Sequence, residues 1–94
     1  MTTHILVHDA GDTVGVAVVE RIEAGQRLTG WVMENDETIQ IEAHDPIPLG
    51  HKIALTDIAE GDTIIKYGHD MGKAVAAIAK GHHAHVHNVK TKRW

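Results

Sequence analysis

The stretch Ile47-Pro48-Leu49-Gly50-His51-Lys52-Ile53-Ala54-Leu55-Thr56-Asp57-Ile58-Ala59-Glu60-Gly61-Asp62 contains the phrase Ile-x-x-Gly twice, with a short β-like run between the copies. Two further copies lie outside it, Ile22-Glu23-Ala24-Gly25 and Ile78-Ala79-Lys80-Gly81. An apolar anchor followed by glycine is how a chain makes a tight turn before its next strand. Around these turns the remaining segments read as strands. Residues 3–8 and 13–20 are β-branched or apolar runs bounded by turn residues. Residues 28–33 and 38–43 flank the polar turn Glu34-Asn35-Asp36-Glu37, a hairpin signal, and Ile39 and Ile41 alternate with Gln40 and Glu42. Pro46 and Pro48 are expected to forbid regular pairing and to set up an extended crossing. Residues 50–55 and 63–67 are strands again. Only residues 71–80 read as helical, with Val75, Ile78 and Ala79 on one face and Gly81 as the C-cap. The expected fold is therefore one compact, mainly β domain with one short helix at about residues 71–80.

Composition narrows the function. The 94 residues make one domain with a modest core, built from Val, Ile, Leu and Ala because Trp31, Tyr67 and Trp94 are its only aromatic rings apart from histidine. A net charge of −4 disfavours nucleic acid as the main partner, despite the basic end Lys90-Thr91-Lys92-Arg93. The absence of cysteine excludes disulfides, thiolate nucleophiles and cysteine-held metal clusters. With no basic-then-apolar leader and no apolar run of about 18 residues, the expectation is a soluble cytoplasmic protein that uses no membrane.

The chemistry concentrates in Gly81-His82-His83-Ala84-His85-Val86-His87-Asn88. In an extended strand, alternate side chains leave the same face, so His83, His85 and His87 form one row while Ala84 and Val86 turn to a core. Imidazole is the commonest metal ligand and exchanges protons near neutral pH. A solvated strand face competes with that reading on spacing alone. His82 breaks the alternation and is discounted as a ligand.

Other motifs carry less. Gly68-His69-Asp70-Met71-Gly72-Lys73-Ala74 superficially resembles a phosphate loop, but it has one residue too few between the glycines and lacks the metal-binding hydroxyl after lysine. Asp70 reads instead as a helix cap. His4 and His8 read as surface residues, and His44 and His69 as loop residues.

Taken together, the ordered blocks resemble one known family. Ile47-Pro48-Leu49-Gly50-His51-Lys52-Ile53-Ala54-Leu55-Thr56-Asp57-Ile58, Gly61-Asp62, Ile65-Lys66-Tyr67-Gly68 and His83-Ala84-His85-Val86-His87-Asn88 are similar to the SAF-type domain at the N-terminal part of altronate and galactarate dehydratases. In that family the module also occurs alone, as the small (alpha) subunit of (2R)-sulfolactate sulfo-lyase. The opening Asp12-Thr13-Val14-Gly15-Val16, the block Gly30-Trp31-Val32-Met33 and the ending Asn88-Val89-Lys90-Thr91-Lys92-Arg93-Trp94 are most similar to that version. The resemblance covers nearly the whole chain and implies a β-clip fold. It implies a lyase acting on a small anionic 2-hydroxy acid with a leaving group at C3, with iron(II) or another divalent metal as cofactor. His83, His85 and His87 are the implied metal ligands, with His85 and His87 also as catalytic groups. His51, Lys66, Tyr67 and Asn88 are the implied substrate contacts. Because the large domain of the one-chain dehydratases is absent here, the resemblance implies a separate large (beta) catalytic subunit and an isolated chain that is folded but inactive. A split sugar-acid dehydratase and a non-catalytic binding module for carbohydrate or acidic ligands are the alternatives.

Overall fold

The computed structural model describes residues 3–66, 69–85 and 88–91, and only the main chain of Lys66, His69 and Thr91. All its regular elements are strands: β1 (Ile5–Val7), β2 (Val14–Ala17), β3 (Arg21–Ile22), β4 (Arg27–Val32), β5 (Glu37–Glu42), β6 (Ile47–Pro48), β7 (Lys52–Ala54), β8 (Thr63–Lys66), β9 (His69–Ala74), β10 (His83–Ala84) and β11 (Val89–Thr91). Six of them form a sheet in the order β10-β7-β2-β1-β4-β5, three form the sheet β11-β9-β8, and β3 pairs with β6. The expected hairpin is β4 with β5, in register from Arg27↔Glu42 to Val32↔Glu37. Pro48 does take part in pairing, opposite Arg21, but in a ladder only two residues long. A proline lacks the donor that a longer ladder would need.

The four Ile-x-x-Gly phrases are one structural unit used four times. Each isoleucine is buried, at 1%, 1%, 3% and 2% exposure for Ile22, Ile47, Ile58 and Ile78. Each glycine has a positive φ between 83° and 89°, which an L side chain adopts only with strain. The residue after each glycine donates its N–H back to the residue after the isoleucine: Gln26 to Glu23, His51 to Pro48, Asp62 to Ala59, and His82 to Ala79. That is the hydrogen bond of a four-residue turn with glycine third.

The units close on one another in two reciprocal pairs. Gly25 donates to the Ala43 carbonyl and Gly50 to that of Ala17, while Ile22 lies opposite Ile47. In the second pair Gly61 donates to Ala74 and Gly81 to Ala54, while Ile58 and Ile78 exchange both main-chain hydrogen bonds. Each of the four alanines returns its own N–H to the carbonyl after the partner glycine. All four are buried. The sequence period is therefore Ala-x-x-x-Ile-x-x-Gly from Ala43, Ala54 and Ala74, with one extra residue after Ala17.

Each pair has its own core. Ile22 and Ile47 sit with Ile5, Leu28, Ile41 and Ile53; Ile58 and Ile78 sit with Val14, Ile64 and Ala84. Burying each isoleucine, leucine or valine side chain of these cores stabilises the fold by about 1.5–3 kcal/mol.

The helix expected at about residues 71–80 does not form. Met71 to Ala74 belong to β9, which pairs with β8 on one side and β11 on the other. Gly72 carries a φ of 139° beside an irregularity in that ladder, and its N–H is taken by Asp70 Oδ1 at 3.0 Å. Asp70 thus braces a strand rather than capping a helix. Ala76 and Ala77 are exposed and Val75 is 48% exposed, so the three-residue spacing of Val75 and Ile78 marks no buried face. The buried pair is Ala74 and Ile78, the four-residue spacing of the turn unit. A ten-residue helix containing glycine is marginal alone, whereas pairing on both sides satisfies the β9 backbone.

Candidate metal centre

The turn units deliver three imidazoles to one rim of the large sheet. His51 follows the turn glycine Gly50; its N–H donates to Pro48 and its carbonyl accepts from Ala17, which fixes its backbone at the head of β7. His83 lies in β10, the edge strand, opposite Ile53 of β7. His85 follows directly. Between His83 and His85, Ala84 is fully buried in the second core, as the alternation requires.

The rings of His51, His83 and His85 stack. His51 and His85 have centroids 3.8 Å apart at 17°, His51 and His83 5.0 Å apart at 25°, and His83 and His85 5.5 Å apart at 11°. His51 Nδ1 and His83 Nε2 share a hydrogen bond of 2.8 Å. All three residues are half-buried and can each offer a nitrogen within 4.8 Å of the others. Nitrogens bound to one ion at about 2.0–2.1 Å lie roughly 3.3 Å apart in a tetrahedral arrangement, so capture of an ion would part the 2.8 Å His51–His83 contact and turn the stacked rings toward a common point. The donor set fits a divalent transition metal: three neutral imidazoles suit zinc, copper, iron or nickel, and three ligands leave positions open for other molecules.

A second set of side chains holds this row in place. Asp45 Oδ2 accepts the His83 N–H at 2.9 Å and the His82 Nδ1–H at 2.9 Å. His82 in turn stacks on His44 at 5.4 Å. The His83 N–H keeps the Asp45 carboxyl below its usual range; partial burial opposes this and His82 reinforces it. Asn88 accepts the His85 N–H on Oδ1 at 2.9 Å and donates from Nδ2 to the His83 carbonyl at 2.8 Å.

Of the residues expected from sequence, His83 and His85 therefore come together, and His51, expected as a substrate contact, joins them as a third potential ligand. The Asn88 amide is engaged with main chain on both ends. His87 and Tyr67, and the side chain of Lys66, lie outside the described residues. His82 is directed to Asp45 and is not in the trio. Asp45 was missed. Nothing in the local sequence links it to residues 82 and 83; the contact between the two turn pairs, where the His44 N–H donates to the Gly81 carbonyl, brings it there. His51 had a signal: it stands after a turn glycine, as His82 does.

The fold and this site define a small β protein that presents imidazoles at a sheet rim. Its sequence matches the altronate/galactarate dehydratase SAF domain over residues 3–92, and the chain belongs to that family. It is similar to the (2R)-sulfolactate sulfo-lyase subunit alpha of Chromohalobacter salexigens, with 60% identity over 94 residues covering all of both chains. It is 46% identical over 63 residues to the subunit of the same name from Paracoccus pantotrophus, covering 67% of this chain and 94% of that one. It is also 42% identical over 91 residues to the altronate dehydratase of Bacillus subtilis, covering 97% of this chain but 17% of that enzyme. Among the described residues, no helix is long and apolar enough to cross a membrane.

Proposed function

We propose that this chain is the small subunit of a cytoplasmic lyase that eliminates sulfite from (2R)-3-sulfolactate to give pyruvate, with a separate large subunit completing the active site. The observation that carries the reading is the trio His51, His83 and His85. It adds no negative charge to a bound divalent ion, which therefore keeps its attraction for an anionic substrate. Sulfolactate, with a carboxylate and a sulfonate, suits that excess. The identity of this chain to subunits named for the same reaction, along all of one and 94% of the other, supports the choice of substrate.

The reaction removes a proton from C2 and breaks the C3–S bond; the bond's electron pair leaves with sulfite, and the enol tautomerises to pyruvate. His51, His83 and His85 would hold the metal, iron(II) in this reading. When bound, it would act as a Lewis acid toward the carboxylate and 2-hydroxyl oxygens. His87, two residues after His85 in sequence, is the candidate proton carrier, and Lys66 and Tyr67 are candidate anion contacts. Asn88 serves the site by bracing the backbone of His83 and His85. For the large subunit, a surface is available on the outer side of β1 and β2. There Leu6, Val16, Val18 and Met33 line a hollow of about 140 Å³, with Val18 and Met33 more than a third exposed. No nucleic acid or membrane enters this scheme.

The 42% identity to an altronate dehydratase favours a second reading, a split sugar-acid dehydratase in which hydroxide replaces sulfite as leaving group. Co-purifying the chain with its large partner without oxygen, then assaying sulfite and pyruvate from sulfolactate against altronate and galactarate, separates the two. Sulfite and pyruvate in equal amounts is the expected result. A keto acid from altronate without sulfite from sulfolactate replaces the substrate and keeps the chemistry.

A further inference from the structure

The imidazole row stands on an edge that its own ladder cannot hold. β10 is two residues long, with two pairs to β7. The His82 carbonyl takes the Ala54 N–H, so by antiparallel alternation the N–H and C=O of His83 turn outward, away from β7. On that open side two side chains act where a neighbouring strand would. Asp45 accepts the His83 N–H, and Asn88 donates to the His83 carbonyl while accepting the His85 N–H. The carboxylate is fixed in turn by the His82 ring, through the same Oδ2. Asp45 is not in the group that can reach a common ion, and both ends of the Asn88 amide are taken up by main chain.

We infer that Asp45 and Asn88 are positioning residues that set the spacing of His83 and His85 relative to His51, and so set the metal affinity of the site without binding the metal. The inference rests on the metal reading given above. Partners that orient ligands in this way typically change affinity about 10- to 100-fold when removed.

The test titrates the full chain with cobalt(II), following affinity by calorimetry and coordination by the visible spectrum, with circular dichroism to verify folding. Asp45→Ala and Asn88→Ala should each weaken cobalt binding about 10- to 100-fold while the spectrum of the saturated site keeps its wild-type shape. Asp45→Asn retains an oxygen for the His83 N–H and should recover much of the loss. A merely structural role would move thermal stability and leave the folded chain's affinity alone. Wild-type affinity in both alanine variants overturns the inference and leaves the metal reading standing. So does a changed saturated spectrum in Asp45→Asn, which would make Asp45 a ligand. No cobalt binding by the wild-type chain defeats the metal reading itself, and this inference with it.

Discussion

Replacing Gly81 by alanine should be far more damaging than the same change at Gly61, although the two have nearly the same φ of 88° and 89°. Holding alanine at a left-handed φ costs about 1–2 kcal/mol at either site. At Gly61 an added Cβ meets nothing within 4 Å, so that strain is the whole effect. At Gly81 the same atom runs into the Glu42 carbonyl oxygen and comes within 2.6 Å of His44 Cδ2. The histidine ring can rotate away; the carbonyl is backbone, in β5, and cannot. Overpacking of this kind costs a further 1–3 kcal/mol or so. The expected losses are therefore roughly 2–5 kcal/mol for Gly81→Ala against about 1–2 kcal/mol for Gly61→Ala, in a domain whose whole stability is of order 5–15 kcal/mol. Urea denaturation of both variants, with Gly25→Ala as a second open-space control, measures the difference directly. Calorimetry should place the melting point of Gly81→Ala several degrees below that of Gly61→Ala, since about 1 kcal/mol moves a domain of this size by roughly 4–8 °C. Equal losses at the two positions would refute the close packing of the fourth turn against β5.

His85→Ala should abolish turnover of the assembled enzyme and metal binding by the chain, with folding and partner association near normal; full activity in this variant would make the row a solvated surface. Val18→Asp or Met33→Asp should weaken co-purification of the large subunit without unfolding the chain, because both side chains are already partly exposed; unchanged association would move the docking surface elsewhere. Acid should loosen the β10 edge. The folded Asp45 carboxyl titrates below its ordinary value of 3.8, so its contribution to stability is present above that pH and is lost as the pH falls through the lower folded value. Asp45→Asn should flatten that part of the stability–pH curve. An identical acid limb in the variant would show that the carboxylate adds nothing measurable.

Strand positions, the hairpin and the turn phrases were legible because they depend on neighbours in sequence: alternation at Ile39 and Ile41, or glycine after an apolar anchor. The false helix arose where local pattern and tertiary pairing disagree. Ala74 to Ala79 has high helix propensity, yet Gly72 is needed at a positive φ and the flanking strands claim the backbone. β10 was foreseen in part. Ala84 is inward as the histidine alternation implies, but the strand ends at Ala84 and the His85 carbonyl accepts from Asn88 and Val89 in a turn, while Val86 and His87 lie outside the described residues. Two parts of the candidate site were not legible. His51 reaches the trio across 32 residues and Asp45 reaches His83 across 38, both across the boundary between the two turn pairs, where β7 meets β10 and His44 meets Gly81, contacts that the sequence does not name.

The two reciprocal turn pairs enclose separate cores, and the imidazole trio draws on both: His51 leaves the first pair, while His83 and His85 leave the second. An ion captured there would rivet one half of the molecule to the other beside the two-residue ladder of β10 with β7. Amide exchange in the cores around Ile22 and Ile58, free to proceed at unlike rates in the apo chain, should then slow toward a common value, turning two clasps into a single lock.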